Sequence, residues 1–330
     1  MRWNWRISML ASVCALALTT AACGDDGSSP GGGDAGDLES TTVRIIAAPP
    51  EFDSITDAKW FELLEEAGIT VEILEFEFGP DTTRALVSGE GDIASTSPLP
   101  VMQYLQEAGG GLKVVAAEIL KTDYLLMTTP DITSLDQLEG KKVGISEPGD
   151  ISDSLTRVML EEAGVDISTI DFVQIGGTSD RIAALSAGEI SAGAAHAADG
   201  YAAAEAAGLT PLANYWEYIP VYAQRFIAVG DGWLEENPNL AQLVVDKLLE
   251  ANQWAVDNKD EYIAMSQEYV EEMSDEIRSD VYDLFLEEGF FAPDGGLEAV
   301  DATIEVERAQ GTISGDLPDP SEWLIRTLVE

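Results

Sequence analysis

Lys142-Val143-Gly144-Ile145-Ser146-Glu147-Pro148-Gly149-Asp150-Ile151-Ser152-Asp153-Ser154 carries one complete structural unit in a single short stretch. Val143 and Ile145 give a short apolar strand. Ser146 to Asp150 form a polar turn in which Gly149 permits close backbone approach, and Leu155, Val158 and Met159 then recur at helical spacing. The same alternation runs outward in both directions. Strands are predicted at Val43–Ala47, Val71–Phe78, Lys113–Ala117, Phe172–Ile175 and Phe226–Val229, each followed by a helix or turn signal. Pro49-Pro50 breaks the first strand ahead of a helix with Trp60, Leu63, Leu64 and Ala67 on one face, and Gly68 ends it. From Asn237-Pro238 onward the spacing of Leu240, Leu243, Val244, Leu248 and Ala251 predicts long amphipathic helices. Repeated strand–helix units followed by a helical C-terminus indicate an α/β protein on mostly parallel sheets. At 330 residues and 45% hydrophobic content the chain can fill two cores.

An internal echo supports two equivalent halves. Ala85-Leu86-Val87-Ser88-Gly89-Glu90 recurs as Ala184-Leu185-Ser186-Ala187-Gly188-Glu189, each closing a helix before a short strand. Chance similarity of two glycine-terminated helices is the competing reading.

The N-terminus reads as an address. Arg2 and Arg6 precede an apolar stretch from Ile7 to about Ala22, shorter than the roughly 20 residues that span a bilayer, so residues 1–22 are expected to be a secretion signal. Leu18-Thr19-Thr20-Ala21-Ala22-Cys23 resembles the lipobox of bacterial lipoproteins, with Thr20 where Leu is usual. Cys14 lies inside the leader, so the mature chain would keep Cys23 alone and form no internal disulfide. Cys23 is therefore expected to be lipidated, an ordinary cleaved signal being the alternative. Residues 23–41, rich in Gly, Asp and Ser without an aromatic, are expected to be a flexible tether. A G-x-G-x-x-G string at Gly31, Gly33 and Gly36 falls in this tether rather than between a strand and a helix, and is compositional.

The sequence holds 61 acidic and 17 basic residues, a formal net charge of −44. Without clustered Lys and Arg, nucleic acid is excluded as a partner. Self-repulsion on this scale predicts a protein suited to high ionic strength.

Ligands of open α/β sheets bind beyond the carboxyl ends of strands, where helix starts offer free N–H groups. Three polar junctions qualify. The first is Ser95-Thr96-Ser97-Pro98, with Ser97 placed to cap a helix that opens on Pro98. The second is the turn quoted above, with Ser146, Gly149, Asp150 and Ser152 as candidate contacts. Plain helix capping accounts equally for both. The third surrounds His196, the only histidine, flanked by alanines that leave room for a ligand. Tyr124 and Tyr222 lie beside the segments expected to cross between halves and could stack on a ligand or pack in a core. Glu51 and Asp53 follow the first strand and could meet a cationic or hydroxyl-bearing group, or be solvated loop acid. One histidine and one mature cysteine exclude the usual zinc sites, so no metal site is expected. No catalytic string such as H-E-x-x-H or G-x-S-x-G is present, and no catalytic residue or cofactor is expected.

Several of these segments are similar to one family. Leu86-x-x-Gly89-Glu90-x-Asp92-Ile93-Ala94, Ile132-Thr133-Ser134-Leu135-Asp136-Gln137-Leu138-Glu139-Gly140-Lys141-Lys142-Val143-Gly144 and Leu160-x-x-Ala163-Gly164-Val165 resemble the substrate-binding proteins of ABC importers for sulfonate, taurine, nitrate and the pyrimidine precursor of thiamine. The resemblance runs from about Val43 to Asn258. It departs at Gly188-Glu189-Ile190-Ser191-Ala192, where the family has Gly-x-x-Asp-Ala. It implies a two-lobed, type II periplasmic-binding-protein fold with a mixed sheet in each lobe. Residues 42–124 with 225–330 would form the first lobe and 125–224 the second. It also implies a secreted, lipid-anchored monomer that closes on a small molecule and delivers it to a membrane permease. A sulfonate-like, taurine-like or nitrate-like anion is the first expectation and a pyrimidine or other heterocycle the second. The rivals are an acidic surface protein without a transport role and an enzyme like the thiamine pyrimidine synthase, whose cysteine-rich metal site has no counterpart here. No Arg or Lys is assigned to the cleft, Arg157 and Arg181 being equally placed for a helix surface.

Overall fold

The computed structural model describes residues 38–76, 79–270, 273–313 and 315–329. The expected leader, Cys23 and most of the tether lie outside the described residues. Among the described residues, ten strands form two five-stranded sheets. In chain order they are β1 (Thr42–Ala47), β2 (Thr70–Glu75), β3 (Ile93–Thr96), β4 (Leu112–Glu118), β5 (Tyr124–Thr128), β6 (Lys142–Ile145), β7 (Asp171–Gln174), β8 (Ala192–His196), β9 (Thr210–Asn214) and β10 (Arg225–Gly230). The first sheet has the order β2-β1-β3-β10-β4 and the second β7-β6-β8-β5-β9.

The two sheets are topological copies. In the first, β1 pairs parallel with β2 and β3, while β10 runs antiparallel between β3 and β4. In the second, β6 pairs parallel with β7 and β8, while β5 runs antiparallel between β8 and β9. Each sheet thus receives its one antiparallel strand from the chain passing between halves, at 119–123 and again at 215–224. Both sheets are mixed, as the resemblance implied. The echoed hexapeptides fall at equivalent places, ahead of the central strands β3 and β8.

Local chemistry fixes the helices around this frame. Ser97 occupies the N-cap of the helix Pro98–Ala108, and Gly109 ends it at φ 75°. The helix Ile55–Glu66 buries Trp60 completely. The Trp60 indole N–H donates to the Val244 carbonyl at 2.9 Å, which ties this helix to Pro238–Asp257. That longer helix buries Leu240, Val244, Leu248 and Ala251 along its expected stripe. Leu38 to Thr41, at the end of the stretch read as a tether, are held to the body. The Glu39 carboxylate accepts from the Asn239 and Leu240 backbone N–H groups at the start of the same helix.

One core cluster joins the halves. Phe52 and Ile55 from the first half meet Leu125, Met127, Leu185 and Trp216 from the second. The helices Lys259–Tyr269 and Asp275–Glu288 add Tyr262, Tyr282 and Phe285 to it. Tyr262 lies 5.6 Å edge-on to Phe52, and Phe285 stacks on Phe290 at 4.7 Å. Among the described residues, no helix is long and apolar enough to cross a membrane.

Candidate functional site

The carboxyl ends of both sheets' parallel strands meet at one cavity of about 180 Å³. That is below the roughly 300–1,000 Å³ of pockets for drug-sized ligands, and suits a small solute. The lining follows the sheet symmetry. The first half contributes Glu51 after β1, Gly79 and Thr82 after β2, and Ser95, Thr96 and Ser97 at the end of β3. The second contributes Ser146 and Asp150 after β6, Gly177, Thr178 and Arg181 after β7, and His196 at the end of β8. Tyr124, Gln224 and Arg225 enter from the two crossings.

Helix starts from both halves add a positive field. Ser97, Asp150, Gly177 and His196 are the N-caps of four helices, and none makes a side-chain capping bond. All four line the cavity. Their helices therefore direct positive dipole ends toward it, an arrangement that favours an anion. The Ser95 hydroxyl is 4% exposed and has no hydrogen-bond partner among the described residues. A buried hydroxyl left unpaired costs about 1–3 kcal/mol, so a ligand oxygen at this place would satisfy it. Gly79 is required locally, since a Cβ there would come within 2.6 Å of the Ser97 Cβ.

Other expected residues act at one remove. The Thr96 hydroxyl lies 3.0 Å from that of Thr83 and 3.1 Å from the Gly79 carbonyl, and also bonds Thr82, which fastens the helix Gly79–Val87 to β3. Ser152 is fully buried and lies off the cavity. Its hydroxyl accepts from the Ser146 N–H at 2.8 Å and sits 2.6 Å from the Ser146 hydroxyl, which also bonds Asp150. Gly149 is exposed beside the rim at φ 81°, and its N–H donates to Asp153. Tyr222 is buried and does not line the cavity; its hydroxyl donates to Glu307 at 2.7 Å. Tyr124 does line it. Cross-strand pairing with His196 brings the two rings to 4.6 Å.

Sequence reasoning did not place Arg181, Gln224 or Arg225. Arg181 is 2% exposed. Its Nε donates to the Ala194 carbonyl at 2.7 Å and its terminal nitrogens to Gly176 and Thr178, which holds the guanidinium on the cavity wall. The helical position alone left this open, because Ala194 and Gly176 come from other elements. Arg157, the alternative cation, lies instead over the Phe172 ring at 3.8 Å and pairs with Asp153. Asp92 of the Gly-x-x-Asp pattern accepts from the Arg44 backbone N–H at 2.8 Å. Ser191 holds the equivalent place in the second half, where its own N–H donates to the Lys142 carbonyl at 2.9 Å, so the backbone link between strands persists without the acid.

One wall is acidic. His196 Nδ1 donates to Asp123 at 2.8 Å, and Nε2 lies 3.5 Å from Glu51. Burial opposes a charge on the imidazole, but Asp123 and Glu51 outweigh it and raise His196 to about 10. Asp123 is held below the usual range despite burial by His196, Gln224 and the Ala197 N–H. Burial pushes Asp53 up to about 7 against the pull of Arg225, whose Nη2 lies 3.5 Å away.

The NMT1/THI5-like family model matches residues 58–262, more than half of the chain. The chain belongs to the NMT1/THI5-like family. Proteins of known structure share its fold over most of the chain. The periplasmic aliphatic sulphonate-binding protein SsuA of Escherichia coli is 21% identical with a TM-score of 0.67, covering 87% of this chain and 92% of that one. The alkanesulfonate-binding protein SsuA of Xanthomonas axonopodis pv. citri, solved with MOPS, is 18% identical with a TM-score of 0.66, covering 87% and 98%. DszB, solved with biphenyl-2-sulfinic acid, is 16% identical with a TM-score of 0.63, covering 87% and 97%. No curated protein sequence matches the chain. Similarity at these levels establishes the two-sheet periplasmic-binding-protein fold for this NMT1/THI5-like chain, in agreement with the sequence reading.

Proposed function

We propose that this chain is the extracytoplasmic solute-binding component of an ABC importer, closing its two halves on a small oxyanion, a sulfonate before taurine or nitrate. The observation that carries this reading is the convergence of four uncapped helix starts, from both halves, on one small cavity beside the unpartnered Ser95 hydroxyl. Arg181 adds a fixed guanidinium to the same wall. The ligands of the structural relatives, sulfonates and a sulfinate, are consistent with it. Ser95, Ser97 and Ser146 are the direct contacts in this reading, with Thr96 and Ser152 positioning them and His196 lining the same cavity. The protein acts by binding rather than catalysis. Its histidine is occupied by two carboxylates, and no cysteine lies among the described residues.

A second reading, a pyrimidine or other heterocycle, draws on the Tyr124 ring and the Glu51 carboxylate at the cavity. Calorimetric titration in molar salt with alkanesulfonates, taurine, nitrate and pyrimidines separates the two. One-to-one binding of an anion supports the first, binding of a pyrimidine alone supports the second, and binding of none defeats both. Lipidation at Cys23 and a monomeric body outside the cell membrane complete the proposal. Incorporation of an alkyne-palmitate label that is lost in Cys23→Ala tests the anchor.

A further inference from the structure

We propose that Glu51, Asp53 and His196 form a binding site for a divalent transition-metal cation, zinc or manganese, shared between the two halves. One donor atom from each residue lies within 4.8 Å of the others, a spacing that a single ion can bridge. They open on a second chamber of about 160 Å³, which Asp123 and Asp199 also line. This chamber shares the Glu51 and His196 wall with the solute cavity but contains none of its serines.

Two independent features point to an ion. His196 is oriented in the manner of a metal ligand. Its Nδ1–H is given to Asp123 at 2.8 Å, which turns Nε2 toward Glu51 at 3.5 Å. Asp123 is itself fixed, accepting from Gln224 at 3.1 Å and from the Ala197 N–H at 3.3 Å. The second feature is Asp53, which is 3% exposed. Its Oδ2 accepts from Gln224 at 3.1 Å and faces Arg225, while its Oδ1 has no partner among the described residues. A buried carboxylate oxygen without a donor is costly, and a cation supplies what is missing.

The donor set is one imidazole nitrogen and two carboxylate oxygens, with water to complete the shell. Imidazole favours zinc and its neighbours over calcium, whereas carboxylates also suit manganese. The multi-His and Cys sites excluded by the sequence are not needed, because acids replace the absent ligands. Glu51 is 52% exposed at its side chain and provides an entry path. Glu51 and Asp53 follow β1 whereas His196 ends β8, so the ion ties one sheet to the other.

The test uses the full chain, stripped with EDTA and free of solute, titrated calorimetrically with zinc chloride, manganese chloride and calcium chloride at pH 8. The expected result is one zinc or manganese ion per chain with a raised Tm. Glu51→Gln and His196→Ala should each weaken binding at least tenfold, and Asp123→Asn should weaken it about tenfold through the histidine. Glu51→Gln, on an exposed side chain, keeps the test valid if His196→Ala impairs folding. No binding of zinc or manganese overturns the site. So does binding that survives both Glu51→Gln and His196→Ala, or calcium binding of equal strength that ignores them, since either describes diffuse attraction to an acidic surface.

Discussion

Ser97 and His196 occupy the same position in the two halves: each caps the helix that follows its sheet's central strand, and both face one cavity. A serine and a histidine at equivalent corners make the cleft chemically lopsided, with hydroxyls on one side and an acid-bound imidazole on the other.

The serine side gives a clean separation of binding from stability. Ser95→Ala removes a buried hydroxyl that has no partner among the described residues, so the Tm of the free protein should equal or exceed that of wild type. Affinity for the bound anion should fall about five- to tenfold, the loss of roughly 1 kcal/mol. Differential scanning fluorimetry with titration calorimetry reads both, and undiminished affinity removes Ser95 from the site.

Arg181 should behave differently. Lys in its place cannot reach the Ala194 and Gly176 carbonyls and Thr178 together. Arg181→Lys is expected to cost about 2–4 kcal/mol of stability, measured by urea unfolding with its m-value checked. A midpoint equal to wild type would mean the guanidinium is not the wall's anchor.

The fold was legible wherever local pattern decides structure. Lys142–Ile145 is a strand within its expected limits, and Ser97-Pro98 opens a helix as read. Two strands escaped. All five residues of Tyr124–Thr128 are buried, which leaves no alternation to read. Thr210–Asn214 contains Pro211, tolerated because β9 is an edge strand. The cavity was legible through its polar junctions, but not through Arg181, whose partners sit on other elements, or Gln224, whose partners Asp53 and Asp123 lie far away in sequence. Ser152 and Tyr222 were drawn toward the cleft by position. In the fold their hydroxyls are consumed by Ser146 and Glu307.

Glu118 supplies a pH test. Burial, reinforced by the adjacent Asp57 carboxylate, raises it well above its model-compound value of 4.5. The folded state therefore holds its proton more tightly than the unfolded chain. That contribution to stability is complete below about pH 4.5 and is lost as pH rises through the folded value. Glu118→Gln, uncharged throughout, should flatten the decline of Tm between pH 5 and pH 8. Parallel Tm profiles for the variant and wild type would contradict this.

Tyr222→Phe should destabilise by about 1–3 kcal/mol, since Glu307 is fully buried and loses a hydroxyl donor while retaining Ser154 and Thr312. Solute affinity should be unchanged, because Tyr222 lies off the cavity. A loss of affinity without a loss of stability would reverse that assignment.

Charge gives the broadest expectation. With a net charge of −44, raising potassium chloride from dilute buffer to about 2 M should lift Tm by roughly 5 °C or more as repulsion is screened. Equal melting temperatures at the two salt levels would refute an adaptation to brine.

The aromatic cluster around Phe52, Tyr262 and Phe285 sets how the molecule can gape. Prising the sheets apart there would wet large rings at about 25 cal/mol for each Å² of apolar surface. Tilting about it would part a lining of mostly polar residues that water welcomes. In the proposed closure the greasy seam would be the door-post on which the halves swing, with traffic entering along their polar edges.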